Sequence, residues 1–280
     1  QCSGAIAPHR IHVLKWAKQN SAFTLPPVIC VHGLTRMAHD FVDIAGSLSE
    51  SRDVYSLSMA GRGESDWLPD PAHYVYPNYV ADCIHIITQE LKLTQVDWLG
   101  TSMGGLIGMW VAGLDAAHNT ALIRKLVLND IGPFLPLSAV QRIAFYAGRA
   151  QNFNTIEDAE RHCRAIYADF GIKSDAAWRF FAEKTVRVKP DGGFTLHYDP
   201  GIAQVFGAVK EDISIWPLYD SLKCPTLLLR GARSDVLSPE IAQEMTQRGP
   251  KAKLVTFENC GHAPALIDAA QINAVKEFLA

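Results

Sequence analysis

The stretch "WLGTSMGG", residues 98–105, places a serine between glycines at the end of an apolar run. It contains the pattern G-x-S-x-G, formed by Gly100, Ser102 and Gly104. A chain that turns from a strand into a helix within a few residues crowds its own backbone, so side chains two positions from the serine would clash. Glycine relieves that crowding and leaves the serine hydroxyl exposed at the turn. The stretch therefore predicts either a nucleophilic Ser102 or a Ser102 that only caps the following helix.

The rest of the chain alternates short apolar runs with amphipathic stretches, which is typical of βαβ units. Seven apolar runs predict strands, and they begin at residues 10, 26, 53, 96, 125, 225 and 252. Amphipathic stretches over residues 78–91, 103–116, 239–248 and 269–279 predict helices. We therefore expect an α/β fold with a mostly parallel central sheet flanked by helices on both faces.

This alternation is interrupted once, by an aromatic-rich segment with a helical pattern between Gly132 and Pro217. A segment of that length is too long for a loop inside a compact domain. Because it lacks recognisable strand runs, we expect a helical cap laid over one end of the sheet. The expected organisation is a core made of residues 1–132 and 217–280, with residues 133–216 as an inserted helical cap.

Charge and composition argue against several classes of function. The formal net charge is -3 with both signs scattered along the chain, so neither nucleic acid nor an acidic membrane surface is an expected partner. No apolar run approaches the ~20 residues of a membrane span, and no signal peptide is visible. We expect a cytoplasmic protein, although a segment removed before Gln1 would leave export open. The oligomeric state cannot be predicted from these features.

The cysteines carry information about the redox compartment. They show no paired spacing and several lie in apolar runs, which favours free thiols in a reducing environment. They are Cys2, Cys30, Cys83, Cys163, Cys224 and Cys260.

A nucleophilic serine needs a histidine to accept its proton and a carboxylate to orient that histidine. Sites in open α/β sheets form at the carboxyl ends of the strands. Asp235 and His262 each follow a predicted strand by a few residues, and the order Ser102, Asp235, His262 is the one associated with a nucleophile elbow. We predict these three as the catalytic triad. Asp130, which also ends a predicted strand, is the alternative acid, and its other interpretation is a turn residue ahead of Gly132.

An acyl-transfer site also needs hydrogen-bond donors for the oxyanion that forms on the substrate carbonyl. The run "VICVHGLTR", residues 28–36, ends a strand in His32 and Gly33, where glycine allows the backbone N–H of Leu34 to face the site. The N–H of Met103, at the start of the helix after the serine, is the second expected donor. We interpret His32 as a structural residue that braces this loop, and Arg36 as solvent-facing or salt-bridged rather than as a ligand for a substrate carboxylate.

These features together resemble the α/β-hydrolase fold family. The resemblance spans most of the chain except the cap, and rests on His32-Gly33, "AGRGESD" (residues 60–66), the Gly100–Gly104 elbow, the Asp235 turn and "NCGHAP" (residues 259–264). It implies that Ser102, Asp235 and His262 are catalytic and that Leu34 and Met103 form the oxyanion hole. Haloalkane dehalogenases and epoxide hydrolases of this fold use aspartate as the nucleophile, so Ser102 argues against both. The first strand hairpin usual in the family looks short, which predicts that a strand is missing at the start of this chain.

The expected activity is hydrolysis of carboxylic ester bonds through an acyl-enzyme. The aromatic-rich cap favours small or apolar ester substrates, with polyesters and lactones included. Two enzymatic alternatives stay open: a hydrolase of carbon–carbon bonds in ring-cleavage products, and a cofactor-free perhydrolase or haloperoxidase. A receptor that binds a ligand without catalysis is a third. Neither a metal nor an organic cofactor is expected, since the histidines show no convincing set of metal ligands.

Overall fold

The computed structural model describes residues 7–20 and 25–280 of the chain. Its first half alternates strands with helices. The strands are β1 (His12–Trp16), β2 (Val28–Val31), β3 (Val54–Ser58), β4 (Val96–Thr101) and β5 (Ile123–Asn129). The α-helices are α1 (Val42–Leu48), α2 (Tyr76–His85) and α3 (Met103–His118). Short 3-10 helices lie at Ala38–Phe41 and Pro71–His73, and a π-helical turn at Ile86–Glu90 continues α2.

The segment between β5 and the next strand of the main sheet forms a separate group of elements. In chain order they are β6 (Phe134–Leu135), α4 (Leu137–Ala147), β7 (Asn152–Phe153), α5 (Ile156–Ile166), a 3-10 helix at Ala168–Phe170, α6 (Asp175–Thr185), β8 (Val186–Val188), β9 (Phe194–Leu196), a 3-10 helix at Pro200–Ala208, β10 (Ile213–Ser214) and α7 (Trp216–Ser221). β7, β9 and β8 form a small antiparallel sheet, and β6 pairs with β10. The segment thus contains short strands, which the sequence analysis did not predict, beside the helices α4, α5 and α6. Strands of two or three residues are too short to show the period-2 alternation by which strands are recognised.

The chain then returns to the main sheet through β11 (Thr226–Gly231), α8 (Pro239–Met245), β12 (Lys253–Phe257) and α9 (Ala269–Leu279). The strands of the main sheet lie in the order β1-β3-β2-β4-β5-β11-β12. β1 pairs antiparallel with β3, and the remaining neighbours are parallel. The mostly parallel sheet and all seven predicted strands are confirmed. Residues 1–6, where the missing strand would precede β1, lie outside the described residues.

Two apolar cores cover the two faces of this sheet. Val28 and Cys30 of β2 pack on one face with α1 and α9, whereas Ile29 and Val31 pack on the other with α2 and α3. Because successive side chains of a strand point to opposite faces, a strand buried on both sides reads as a continuous apolar run. This packing fixes the carboxyl ends of β4, β5, β11 and β12 side by side, which is where the candidate site lies.

Two further predictions can be checked on the described residues. The five cysteines within them form no disulfide, as expected, and Cys2 lies outside this range. None of the helices there combines the length and the apolar character that crossing a bilayer requires.

Candidate active site

Ser102 lies at a sharp turn between β4 and α3, with φ 50° and ψ -114°. A Cβ atom on Gly100 would lie 2.3 Å from the carbonyl oxygen of Gly104, and one on Gly104 would lie 1.9 Å from the carbonyl oxygen of Val31. Neither position can hold a side chain, because the start of α3 passes so close to β2 and β4. Ser102 occupies the N-cap position of α3, yet its side chain makes no capping hydrogen bond there. The glycines therefore serve to present the hydroxyl, and a capping role for it is not observed.

His262 joins this hydroxyl to a buried carboxylate. Its Nε2 lies 2.9 Å from Oγ of Ser102, and its Nδ1 lies 2.7 Å from Oδ2 of Asp130. An ionised carboxylate only accepts hydrogen bonds, so Nδ1 carries the proton and Nε2 remains free to accept one. The imidazole is thus held in the tautomer in which Nε2 can remove the proton of a serine hydroxyl.

Asp130 is held from three directions. It is fully buried and adopts a positive φ of 56° directly after β5. Its Oδ1 accepts a hydrogen bond from the Gly231 N–H at 2.8 Å, and its Oδ2 accepts one from the Ser234 hydroxyl at 2.5 Å as well as that of His262. Donors of this kind fix the direction of the carboxylate. Ser234, which has no motif to distinguish it, was not recognised from the sequence.

Asp235 does not occupy the position predicted for it. Its carboxylate forms an ion pair with Arg142 of α4, where Nε lies 2.6 Å from Oδ2, and the Asp235 side chain is 53% exposed. β11 ends at Gly231, so Asp235 lies four residues into a loop, and that loop turns Ser234 inward and Asp235 outward. The pairing of Asp235 with His262 is therefore wrong. Asp130, the alternative acid, makes the contact instead.

Leu34 and Met103, the residues predicted to form an oxyanion hole, both lie beside Ser102. Gly33 and Leu34 border the cavity above Ser102, and a Cβ on Gly33 would lie 3.7 Å from Cβ of Ser102. The Gly33 carbonyl oxygen accepts hydrogen bonds from Nδ1 of His32 at 2.7 Å and from the Arg36 N–H at 3.1 Å. Since the carbonyl and the following N–H of a planar trans peptide point in opposite directions, these bonds also fix the direction of the Leu34 N–H. In residues 7–20 and 25–280, neither this N–H nor that of Met103 donates to another backbone group.

His32 has the structural role that the sequence suggested. It is fully buried, and its Nε2 accepts a hydrogen bond from the Met59 N–H at 2.9 Å. Nδ1 must then carry the proton that is donated to the Gly33 carbonyl. Burial lowers the pKa of His32 to about 3, so the neutral ring is the form present near neutral pH.

Two buried arginines lie behind this loop. Arg62, from the "AGRGESD" motif, donates to the Leu34 carbonyl at 2.8 Å and lies 3.5 Å from Sδ of Met103. It forms no ion pair with a carboxylate of the described residues. Arg36 is buried and paired with Asp40 at 2.6 Å, so the salt-bridged interpretation of Arg36 holds and the solvent-facing one does not.

A small cavity of about 50 Å³ lies directly over Ser102 and His262. A larger cavity of about 320 Å³ adjoins it and is bordered mainly by apolar side chains. The residues common to both are Arg36, Asp40, Thr101, Phe170 and Ala263. The segment after β5 contributes Phe170, Phe180 and Phe181 to the larger cavity, so its aromatic residues border the site as well as filling its own interior.

Comparison with known proteins agrees with this geometry. Residues 26–269 match the model of the alpha/beta hydrolase fold family. The chain is 37% identical to the 3-hydroxybutyrate-oligomer hydrolase of Cupriavidus necator, over 99% of this chain and 95% of that protein. It is 24% identical to an esterase of Mycobacterium tuberculosis, over 90% of this chain and 80% of that protein. An alpha/beta hydrolase structure from Novosphingobium aromaticivorans superposes with a TM-score of 0.85 at 35% identity, over 97% of this chain and 94% of that one. The chain therefore belongs to the α/β-hydrolase family, and its relatives include hydrolases of ester bonds.

Proposed function

We propose that this protein is a serine esterase that hydrolyses short oligoesters of hydroxy acids, with oligomers of 3-hydroxybutyrate as the model substrate. The observation that carries the catalytic part is the hydrogen-bonded series from Ser102 through His262 to Asp130. The substrate class is supported by the 37% identical relative, which matches this chain over nearly its whole length. Asp130 replaces Asp235 as the acid in this proposal.

The first half of the reaction transfers the acyl group to the enzyme. Nε2 of His262 accepts the hydroxyl proton while Oγ of Ser102 bonds to the carbonyl carbon of the ester. The buried carboxylate of Asp130 stabilises the imidazolium that results. Nε2 then returns the proton to the oxygen of the leaving alcohol as the carbon–oxygen bond breaks. An acyl-enzyme on Ser102 and a free hydroxyl group are the products of this half.

The second half repeats these steps with water. His262 accepts a proton from a water molecule, whose oxygen bonds to the acyl carbon, and then donates that proton to Oγ as Ser102 leaves. The carboxylic acid is released and the starting state is restored. Ser102, His262 and the attacking water thus account for every proton that moves.

The oxyanion of each tetrahedral intermediate is stabilised by the N–H groups of Leu34 and Met103 in this proposal. Donors that are fixed before the reaction need no reorganisation when charge develops, which makes them effective. His32 fixes the Leu34 peptide through the Gly33 carbonyl. Arg62 adds a buried positive charge that contacts both oxyanion-hole residues, at the Leu34 carbonyl and the Met103 sulfur.

The binding site is proposed to lie between the sheet and the inserted segment, residues 133–216, acting as a cap. The apolar cavity of about 320 Å³ beside Ser102 suits the uncharged repeat of an oligoester, whose methyl groups and methylene groups need no polar partner. Of its charged side chains, Arg36 and Asp40 are bonded to each other. A substrate of this class would therefore be recognised there mainly by shape and apolar contact.

The proposal is tested by assaying purified protein on a linear trimer of 3-hydroxybutyrate and on p-nitrophenyl butyrate. We expect release of 3-hydroxybutyrate and of p-nitrophenol, and a loss of at least about 1,000-fold in kcat for Ser102→Ala on both substrates. Ser238→Ala, which removes the side-chain hydrogen bond at the start of α8, is the matched control and should retain activity. Turnover by Ser102→Ala at the wild-type rate would refute the mechanism. Activity on the p-nitrophenyl ester alone would refute the substrate class.

A further inference from the structure

A second cavity lies in the cap. It adjoins the small cavity above Ser102, on a different side from the apolar cavity of about 320 Å³. It measures about 380 Å³ and is bordered by α4, α5 and residues between them. It shares Arg142, Tyr146 and Ile166 with the cavity above Ser102. It shares no lining residue with the apolar cavity. A substrate that extends from Ser102 therefore has two separate spaces to enter.

The charges that border this second cavity are positive. Arg142 and Arg149 line it, and no carboxylate side chain does. Arg142 is paired with Asp235, whereas the Arg149 guanidinium lies 3.7 Å from the ring centre of Phe145 and has no carboxylate partner in the described residues. His162 also lines this cavity. It is neutral near neutral pH because burial lowers its pKa. The exposed Arg149 guanidinium is thus the arginine of this lining that lacks a carboxylate partner among the described residues.

The apolar cavity differs in this respect. Its cationic side chains, Arg36 and Lys184, are matched by Asp40 and Asp43 in the same lining. A negatively charged group would gain little there and would lose its hydration. The second cavity offers an anion a planar guanidinium that can donate two parallel hydrogen bonds to a carboxylate.

We propose that this second cavity, with Arg149 as the main contact and Arg142 beside it, binds the free carboxylate of the ester substrate. The inference rests on the proposed function, because an oligoester of a hydroxy acid carries an uncharged repeat and a single terminal carboxylate. That carboxylate enters the cavity of Arg149 while the ester bond lies over Ser102. The enzyme then selects substrates that end in a free acid over capped ones.

The test compares a linear 3-hydroxybutyrate trimer with a free carboxylate and the same trimer as its methyl ester, following cleavage of the bonds between monomers. We expect kcat/KM of the wild type to be about tenfold higher for the free acid, mainly through KM. Arg149→Gln should remove this preference by lowering kcat/KM for the free acid towards the value for the methyl ester. Arg149→Lys should retain part of it because the charge remains. Arg161→Gln, on the exposed side of α5 and paired with Asp158, is the matched control and should behave as wild type.

The outcomes separate this inference from the function on which it rests. Equal kcat/KM of the wild type for the two trimers, or an equal loss on both in Arg149→Gln, overturns the carboxylate site while ester hydrolysis stands. Absence of cleavage of either trimer, with p-nitrophenyl butyrate still hydrolysed, overturns the proposed substrate class. A preference for the free acid that persists in Arg149→Gln also overturns the assignment to this cavity.

Discussion

Nδ1 of His262 lies 2.7 Å from the carboxylate of Asp130, whereas the carboxylate of Asp235 is paired with Arg142. The acid of the candidate triad thus follows β5 rather than β11. Both strands end at the same edge of the sheet and are direct neighbours there. Either could place a carboxylate near the histidine, and the geometry favours the first.

This relationship gives the first prediction, on the exchange of each aspartate for asparagine. Asp130→Asn should lower kcat about 1,000- to 10,000-fold, since an amide in that position can hold the imidazole in the wrong tautomer. Asp235→Asn should change kcat less than about threefold, because it disrupts only an exposed ion pair. Steady-state kinetics on p-nitrophenyl butyrate measures both. A large loss in Asp235→Asn with near-normal Asp130→Asn would reverse the assignment.

A second prediction concerns Ser234, whose hydroxyl lies 2.5 Å from Oδ2 of Asp130. Ser234→Ala removes one of the donors that fix this carboxylate, and we expect kcat to fall about tenfold. Threonine at the same position retains the hydroxyl and should recover part of the loss. Ser238→Ala serves as the control, because it removes only the hydrogen bond that caps α8 and should lower the free energy of unfolding by about 1 kcal/mol without reducing kcat. If Ser234→Ala lowers the free energy of unfolding but not kcat, Ser234 has no role in positioning Asp130.

A third prediction concerns His32 and the oxyanion hole. His32→Gln alters the bond that holds the Gly33 carbonyl, so the Leu34 N–H loses its fixed direction. We expect kcat to fall between about 10- and 100-fold with little change in KM, since the lost interaction exists mainly in the transition state. Active-site titration of the folded variant separates this effect from loss of protein. An unchanged kcat would mean that His32 does not support the oxyanion hole.

The same residue predicts how stability depends on pH. The pKa of His32 is about 3 when folded and returns to its ordinary value near 6.5 on unfolding, so the unfolded chain binds the extra proton between these two pH values. Its contribution to the free energy of unfolding is complete above about pH 6.5 and decreases as the pH falls, by up to about 1.4 kcal/mol per pH unit. Urea unfolding between pH 4 and 7 should show a steeper loss for wild type than for His32→Gln. If the free energies of unfolding of wild type and His32→Gln fall in parallel with pH, the low pKa of His32 is contradicted.

A fifth prediction uses the glycines of the elbow. Gly104→Ala places a Cβ 1.9 Å from the carbonyl oxygen of Val31, so it should destabilise the fold by at least about 1–3 kcal/mol and abolish activity. Gly46→Ala in α1 meets no atom within 4 Å and should increase the free energy of unfolding by about 0.5–1 kcal/mol. Urea unfolding of both variants measures the difference. Equal stability would show that the elbow is less crowded than described.

The sequence was sufficient for those features that follow from local pattern. The strands of the main sheet are continuous apolar runs because both faces are buried, and the glycines around Ser102 reflect a backbone contact that side chains would prevent. His262 was found because it follows the last strand. These parts of the fold and site depend on residues close together in the chain.

The features that could not be predicted depend on which way a loop turns. Asp235 and Ser234 are adjacent, yet Ser234 faces Asp130 and Asp235 faces Arg142 of α4. That difference is decided by packing between distant segments, which carries no local pattern. One signal did favour Asp130: it directly follows β5, where the sheet fixes its direction, whereas Asp235 lies four residues beyond β11. The short strands β6 to β10 were missed because two or three residues show no periodicity.

Trapping the acyl-enzyme tests directly whether Ser102 is the nucleophile. The protein is mixed with the 3-hydroxybutyrate trimer, quenched in acid within the first turnovers, digested and examined by mass spectrometry. We expect a hydroxybutyryl ester on the peptide that contains Ser102, present in wild type and absent in Ser102→Ala. Hydrolysis of the trimer by Ser102→Ala, or an acyl group carried on a different residue of the wild type, would contradict it.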